Sequence, residues 1–306
     1  MHVFPLHLAL LALAAVNGAA ADNPVFQELL KTGIKTSDGT LVKLPPPILA
    51  DGLDAAGQHA ALAKVADARN SVKDLLGKSY YAPVVVKIRT VKESPGEGPA
   101  VRSVDLWFVA HGDWNTLTSQ EFLESVFKPA NEGKSRVVAK SGVLTDQELA
   151  ARKLSATAKK GYEERFVYST FSLFERVEIS ATRRAVVTSG KDAVLAAGRI
   201  DSRFANDADY PNQWRPLLRN EQAEIQPGPV HPWANAGGYS KITRLMDPAD
   251  AVLVECHLVY EEPYGWFDGV NLVKQKIPAI VQEKVRTFRR KLALAGGEKT
   301  DRKEKN

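Results

Sequence analysis

Between Val84 and Glu261 the chain repeatedly alternates apolar and polar residues, and it then changes period for one long final run. Val84, Val86 and Ile88 alternate with Lys87 and Arg89, and Val104, Leu106 and Phe108 with Ser103, Asp105 and Trp107. Phe171, Leu173, Val177 and Ile179 keep the same even spacing. A period of two puts one set of side chains on each face of a strand. From Pro278 to Gly296-Gly297 the period becomes helical: Ile277, Val281, Val285, Phe288 and Leu292 share one stripe. Turn residues separate the runs at Ser94–Pro99, Ser189–Asp192 and Met246–Asp250. These patterns predict an α+β fold, an antiparallel sheet with helices packed on one face and a long C-terminal helix.

The remaining segments fit around that frame. Asn23-Pro24 reads as an N-cap followed by proline in the first turn, opening a short helix that ends near Gly33. Ile34–Thr36 and Thr40–Lys43 flank a Ser37-Asp38-Gly39 turn, and Pro45-Pro46-Pro47 imposes an extended connector. Ala61, Leu62, Val65, Ala68, Val72, Leu75 and Leu76 predict a helix over 54–76, and Thr118 with Glu121 a capping box opening a helix over 118–127. Residues 130–160 read as a strand and a short helix, and the proline-rich 205–238 as loop. The boundaries that follow are a leader at 1–21, a helix, hairpin and connector at 22–53, a single α+β domain at 54–296 and a charged tail at 297–306. In element order the chain resembles a helix-grip domain, which wraps a sheet around a helix and a cavity. Fold of that kind does not assign a function.

The apolar run Leu6–Val16, followed by small residues at Ala19 and Ala21, has the form of a secretory leader cleaved before Asp22. No later run is apolar enough for a transmembrane span. Cys256 is the only cysteine, so no intramolecular disulfide forms, and no Asn-x-Ser/Thr acceptor is present. Together these predict an exported protein, periplasmic or extracellular, with a bacterial source favoured. The net charge of +5 is concentrated at the end: residues 269–306 carry 11 Lys/Arg against 4 acids, leaving residues 1–268 slightly negative. A near-neutral body argues against nucleic acid as a partner.

Chemistry-bearing residues are few. His59, His111, His231 and His257 remain after the leader, in no metal-ligand spacing, so neither a metal nor a cofactor is expected. His111 and Asp113, two apart at the end of an apolar strand, are the catalytic candidates for a hydrolase. Cys256 belongs to the apolar row of Val252, Val254, Leu258 and Tyr260 and reads as a core thiol. His257 shares the other face with Glu255 and Glu261, the pattern of a solvated or cross-strand polar row, or of a proton-handling site. Trp214, Trp233, Tyr264 and Trp266 in loops or at strand ends are candidates for an aromatic pocket binding a small apolar or carbohydrate ligand. Lys284, Arg286, Arg289 and Arg290 form a basic face on the last helix, suited to weak contact with anionic lipid or wall polymer. The leading expectation is a non-catalytic envelope module that binds a ligand or partner. The alternatives are a hydrolase built on His111 and Asp113 and a structural envelope component.

Overall fold

A computed structural model describes residues 22–66, 70–93, 96, 98–119, 122, 141–222, 224–267 and 272–296. The leader, the charged tail and most of the helix expected over 118–127 lie outside the described residues. The elements are helices α1 (Pro24–Lys31), α2 (Ala55–Ala63), α3 (Val72–Leu75), α4 (Trp114–Leu117), α5 (Asp146–Ala150) and α6 (Leu272–Ala295). The long strands are β3 (Val84–Glu93), β4 (Ala100–His111), β7 (Tyr162–Leu173), β8 (Val177–Ser189), β9 (Ala193–Ile200), β10 (Gln213–Arg219), β13 (Ala236–Arg244) and β14 (Ala251–Glu262). Short strands β1 (Ile34–Lys35) and β2 (Leu41–Val42) make a separate hairpin. β5 (Ser141–Val143) and β6 (Ala158–Lys159) pair with β7, and β11 (Ile225–Pro227) and β12 (His231–Pro232) with β10.

All the long strands join one antiparallel sheet in the order β10-β8-β9-β13-β14-β4-β3, with β7 on the other side of β8. The period-two runs explain this: each strand offers one apolar row, and the rows align into a continuous face. Val104, Leu106 and Phe108 of β4 and Val252, Val254, Cys256 and Leu258 of β14 lie against Val281, Val285, Phe288 and Leu292 of α6 in a single core. Phe288 contacts Phe108 edge-on, with centroids 5.6 Å apart.

The opposite face is buried as well. Val25, Phe26 and Leu29 of α1 pack on Val186, Leu195, Ala197, Tyr239 and Val259. Leu49, Ala61, Leu62 and Leu75 pack on Val85, Trp107, Val109 and Leu253. The long helix therefore covers one face, and the N-terminal segment with its short helices covers the other.

Three boundaries differ from expectation, each for a local reason. The helix expected over 54–76 is two helices, because Ser71 and Asp74 form a reciprocal capping box that starts α3 anew. α6 begins at Leu272 and carries Pro278 in its interior; Val273, one turn before Ile277, also has a place in the core, which offsets the lost backbone hydrogen bond. Thr118 is the C-cap of α4, its hydroxyl donating to the Trp114 carbonyl, and Ser119 instead accepts from the Phe122 amide. Within the proline-rich 205–238, β10 pairs with the Val177–Ser180 end of β8 because Trp214 and Leu217 find buried positions there.

β13 and β14 approach so closely at Gly238 that an added Cβ would lie 2.4 Å from the His257 carbonyl oxygen. Gly238→Ala is expected to lower stability by about 1–3 kcal/mol, read as the urea midpoint; an unchanged midpoint would contradict the pairing.

Candidate functional site

Register places an unusual row on the sheet face turned away from α6. Tyr239, His257 and Asp105 are direct cross-strand partners on β13, β14 and β4, and Lys241, Glu255 and Trp107 form the next row on the same face. All six side chains are buried. The His257 Nδ1 lies 2.7 Å from the Asp105 carboxylate, and its Nε2 lies 3.5 Å from Glu255, an ion-pair distance rather than a hydrogen bond. Arg89 reaches Asp105 from the solvent side. Burial opposes charge on the imidazole, but the Asp105 hydrogen bond and the two neighbouring carboxylates outweigh it, so the pKa of His257 is raised above 6.5.

The cover over this row is the proline-rich connector, 45–51. The Tyr239 hydroxyl donates to the Pro45 carbonyl at 2.7 Å, the Ile48 amide to Glu255 at 2.9 Å, and the Lys241 ammonium to the Leu49 carbonyl at 2.6 Å. Lys241 also pairs with Asp51 at 2.7 Å. Proline has a carbonyl but no amide, so this strap offers the sheet acceptors and keeps few donors of its own to satisfy. Farther along, Glu261 accepts from the Ser37 amide at 2.9 Å, joining the β1–β2 turn to β14.

Where the strap ends, a cavity of about 580 Å³ opens between residues 50–53, the β8–β9 turn and the end of β13. Gln58 of α2 holds one wall, donating to the Arg244 carbonyl at 3.2 Å and accepting from the Met246 amide at 2.9 Å. Leu53, Ala193, Leu195 and Leu245 give it an apolar lining, with Thr188 and Thr243 on the sheet.

The residues singled out from sequence are placed differently. His111 and Asp113 do not meet. His111 Nδ1 faces Asp250 at 3.4 Å and its Nε2 the Leu76 carbonyl at 3.0 Å, while Asp113 caps α4 by accepting from the Thr116 amide at 2.7 Å. A cleft of about 420 Å³ beside them is lined by Asp113, Asp250 and Arg244. Trp214, Trp233 and Trp266 come together, with Trp266 ring centroids 6.1 Å and 5.7 Å from the other two, and all three are buried in the α6-side core. Trp233 donates to the Glu261 carbonyl at 2.9 Å. Tyr264 stays exposed.

On α6, Arg286 lies over the Tyr81 ring and Arg290 is exposed, with Lys284 half-buried. Arg289 does not belong to the basic face: it is buried and donates to the Val109, Ala82 and Pro83 carbonyls at 2.9, 2.6 and 3.2 Å. It lies four positions after Val285, on the inner face of the helix, where its forked donors satisfy carbonyls that the core would otherwise leave bare. Burial pushes its pKa down to about 10. Cys256 is a core thiol, as its apolar row implied; its sulfur accepts from the Ser240 hydroxyl, and burial pushes its pKa up to about 12. The His257 row is not solvated. Its polar alternation gave the right face but no sign of the strap that covers it.

No protein-family model matches the chain, and no curated protein matches it.

A raised histidine pKa stabilises the fold fully below the unfolded value of 6.5, and that contribution is lost as pH rises through the folded value. Stability should therefore fall from pH 6.5 upward, with one proton limiting the slope to about 1.4 kcal/mol per pH unit. His257→Gln should flatten this segment of the profile; an unchanged slope in the variant would contradict the assignment.

Proposed function

We propose that this chain is an exported, non-catalytic ligand-binding module of the bacterial envelope, and that it takes a small molecule in the cavity beneath residues 50–53. The observation that carries the reading is a concavity of about 580 Å³ with an apolar lining, walled by a strap that buried side chains hold in place. Ligand sites are concavities of this size, apolar with a few fixed polar groups. The leader-like first 21 residues support export, and the single cysteine with no Asn-x-Ser/Thr acceptor supports a bacterial rather than a eukaryotic source for an exported protein.

The hydrolase reading is weaker. Asp113 is engaged in a helix cap, and although Asp250 faces the His111 Nδ1, the His111 Nε2 is turned to the Leu76 carbonyl rather than presented to a nucleophile. The tryptophans support the module differently from a binding platform: they fill the core beneath the long loop, and the ligand reading moves to the opposite face of the sheet.

Native mass spectrometry of the mature protein tests the proposal. A bound small molecule, released on denaturation and absent from the cavity-filling variant Ala193→Trp, is the expected result. A single apo mass for both proteins would contradict it.

A further inference from the structure

The buried row beneath the strap balances its charge only when His257 is protonated. Asp105 of β4 meets the Nδ1 at 2.7 Å, and Arg89 of β3 pairs with Asp105 from the solvent side. Lys87 of β3 stands opposite Asp105 but is exposed and lies over the Trp107 ring. Glu255 lies 3.5 Å from the Nε2. On β13, the Tyr239 ring lies 4.8 Å from the imidazole as a neutral phenol, its pKa raised by burial and by Glu255 and Asp105, and Lys241 pairs with Asp51 of the strap. Glu261, farther along β14, is taken up by Ser37 and Asn235, and Glu28 of α1 by Arg199. From α2 and α3 come the apolar Leu62 and Leu75. The cations engaged in the row are therefore His257, Lys241 and Arg89, against Asp105, Glu255 and Asp51. A neutral imidazole leaves a carboxylate in excess where the side chains of His257, Asp105 and Glu255 are at most 1% exposed.

The excess falls on Glu255. Asp105 keeps Arg89, and with a hydrogen on Nδ1 the imidazole donates to Asp105 in either protonation state. Glu255 has no such reserve. Its Oε1 has no hydrogen-bonding partner among the described residues, and its Oε2 accepts from the Ile48 amide of the strap. Lys241, directly across from it on β13, donates instead to the Leu49 carbonyl and to Asp51. Once the Nε2 loses its proton, a lone pair faces this carboxylate in place of a cation. A buried carboxylate without a compensating charge is strongly unfavourable unless water reaches it. The strap covers Glu255, so hydration requires Ile48 to part from it.

We propose that residues 45–51 form a proton-operated lid, closed on the sheet while His257 is charged and parted from Glu255 when His257 is neutral. Resting on the reading of the cavity as a ligand site, the same step removes the wall at residues 50–53 and releases the bound molecule as pH rises. The closed form holds one more proton than the open form. The open-to-closed ratio therefore grows at most about tenfold per pH unit, between the imidazole pKa of the open form and its higher value in the closed form. Below both values the lid stays closed, and above both the ratio is constant.

Amide exchange in the intact mature protein, followed across the histidine range of about pH 5.5 to 8.5, reads the lid against the sheet once each rate is divided by its intrinsic value. Protection of Ile48 should fall relative to the β14 amides as pH rises, over the interval in which the His257 imidazole titrates by NMR. A histidine that only stabilises the whole fold would lower both protections together and leave their ratio flat. Glu255→Gln removes the charge but keeps an acceptor for Ile48, and should hold the lid closed throughout. His257→Gln should fix the ratio at its high-pH value. Should either variant fail to fold, the wild-type ratio still decides.

A flat ratio in the wild type, or a Glu255→Gln ratio that still falls with pH, would overturn the lid and leave the cavity reading to native mass spectrometry. A falling ratio in a protein that carries no bound molecule at any pH would uphold the lid and overturn only the cavity reading.

Discussion

The buried pairing of His257 with Asp105 and Glu255 sets the arrangement of one entire side of this molecule. Three strands meet there in register, and their polar side chains leave water together because a proline-rich strap closes over them. A buried ion cluster is not in itself a strong source of stability, since desolvation offsets most of the attraction. Removing one member is another matter: it leaves an uncompensated buried charge, at about 3–5 kcal/mol. The cluster therefore acts mainly as a positional constraint. Glu255 can satisfy the Ile48 amide, and Lys241 the Leu49 carbonyl, in only one placement of the strap.

That placement shapes the cavity. Asp51 is held by Lys241 at the strap's end, and residues 50–53 then form the wall facing Thr188 and Thr243. Gln58 fixes the other wall through the Arg244–Met246 backbone. On the far face of the sheet, α6 and the tryptophan cluster pack the apolar rows, and Arg289 closes the join between helix and strand ends by capping backbone carbonyls. The sheet is thus a two-sided support: one side is ordinary apolar core, and the other is polar, strapped and hollow at one end.

How much of this could be read from sequence follows from which signals are local. The strands β3, β4, β8, β13 and β14 and the long helix were legible because a period of two or of 3.6 is written in consecutive residues. Asn23 and Pro24 gave the start of α1 for the same reason, since a cap is a local hydrogen bond. The His257 row reads from sequence as a solvated or cross-strand polar row or a proton-handling site; the cross-strand pairing with Asp105 and Tyr239 is present, but its burial left no trace, because polar alternation marks a half-exposed strand and nothing local says that residues 45–51 will return to cover it. Arg289 was placed outside by its charge, although its spacing from Val285 puts it on the buried stripe. Thr188 and Thr243 gave no signal at all. Threonine is common in strands, and only the register of three strands makes these two face one cavity.

The strap belongs to the folded sheet rather than lying loosely on it. Amide hydrogen exchange at Ile48 measures this directly, because the Ile48 amide donates to the buried Glu255 carboxylate across the join between strap and sheet. While His257 is protonated, protection comparable to the amides of β14 is expected, with Ile48 opening only when the sheet opens. Exchange at the rate of a free surface loop would contradict it, and the cavity wall would lose its physical basis.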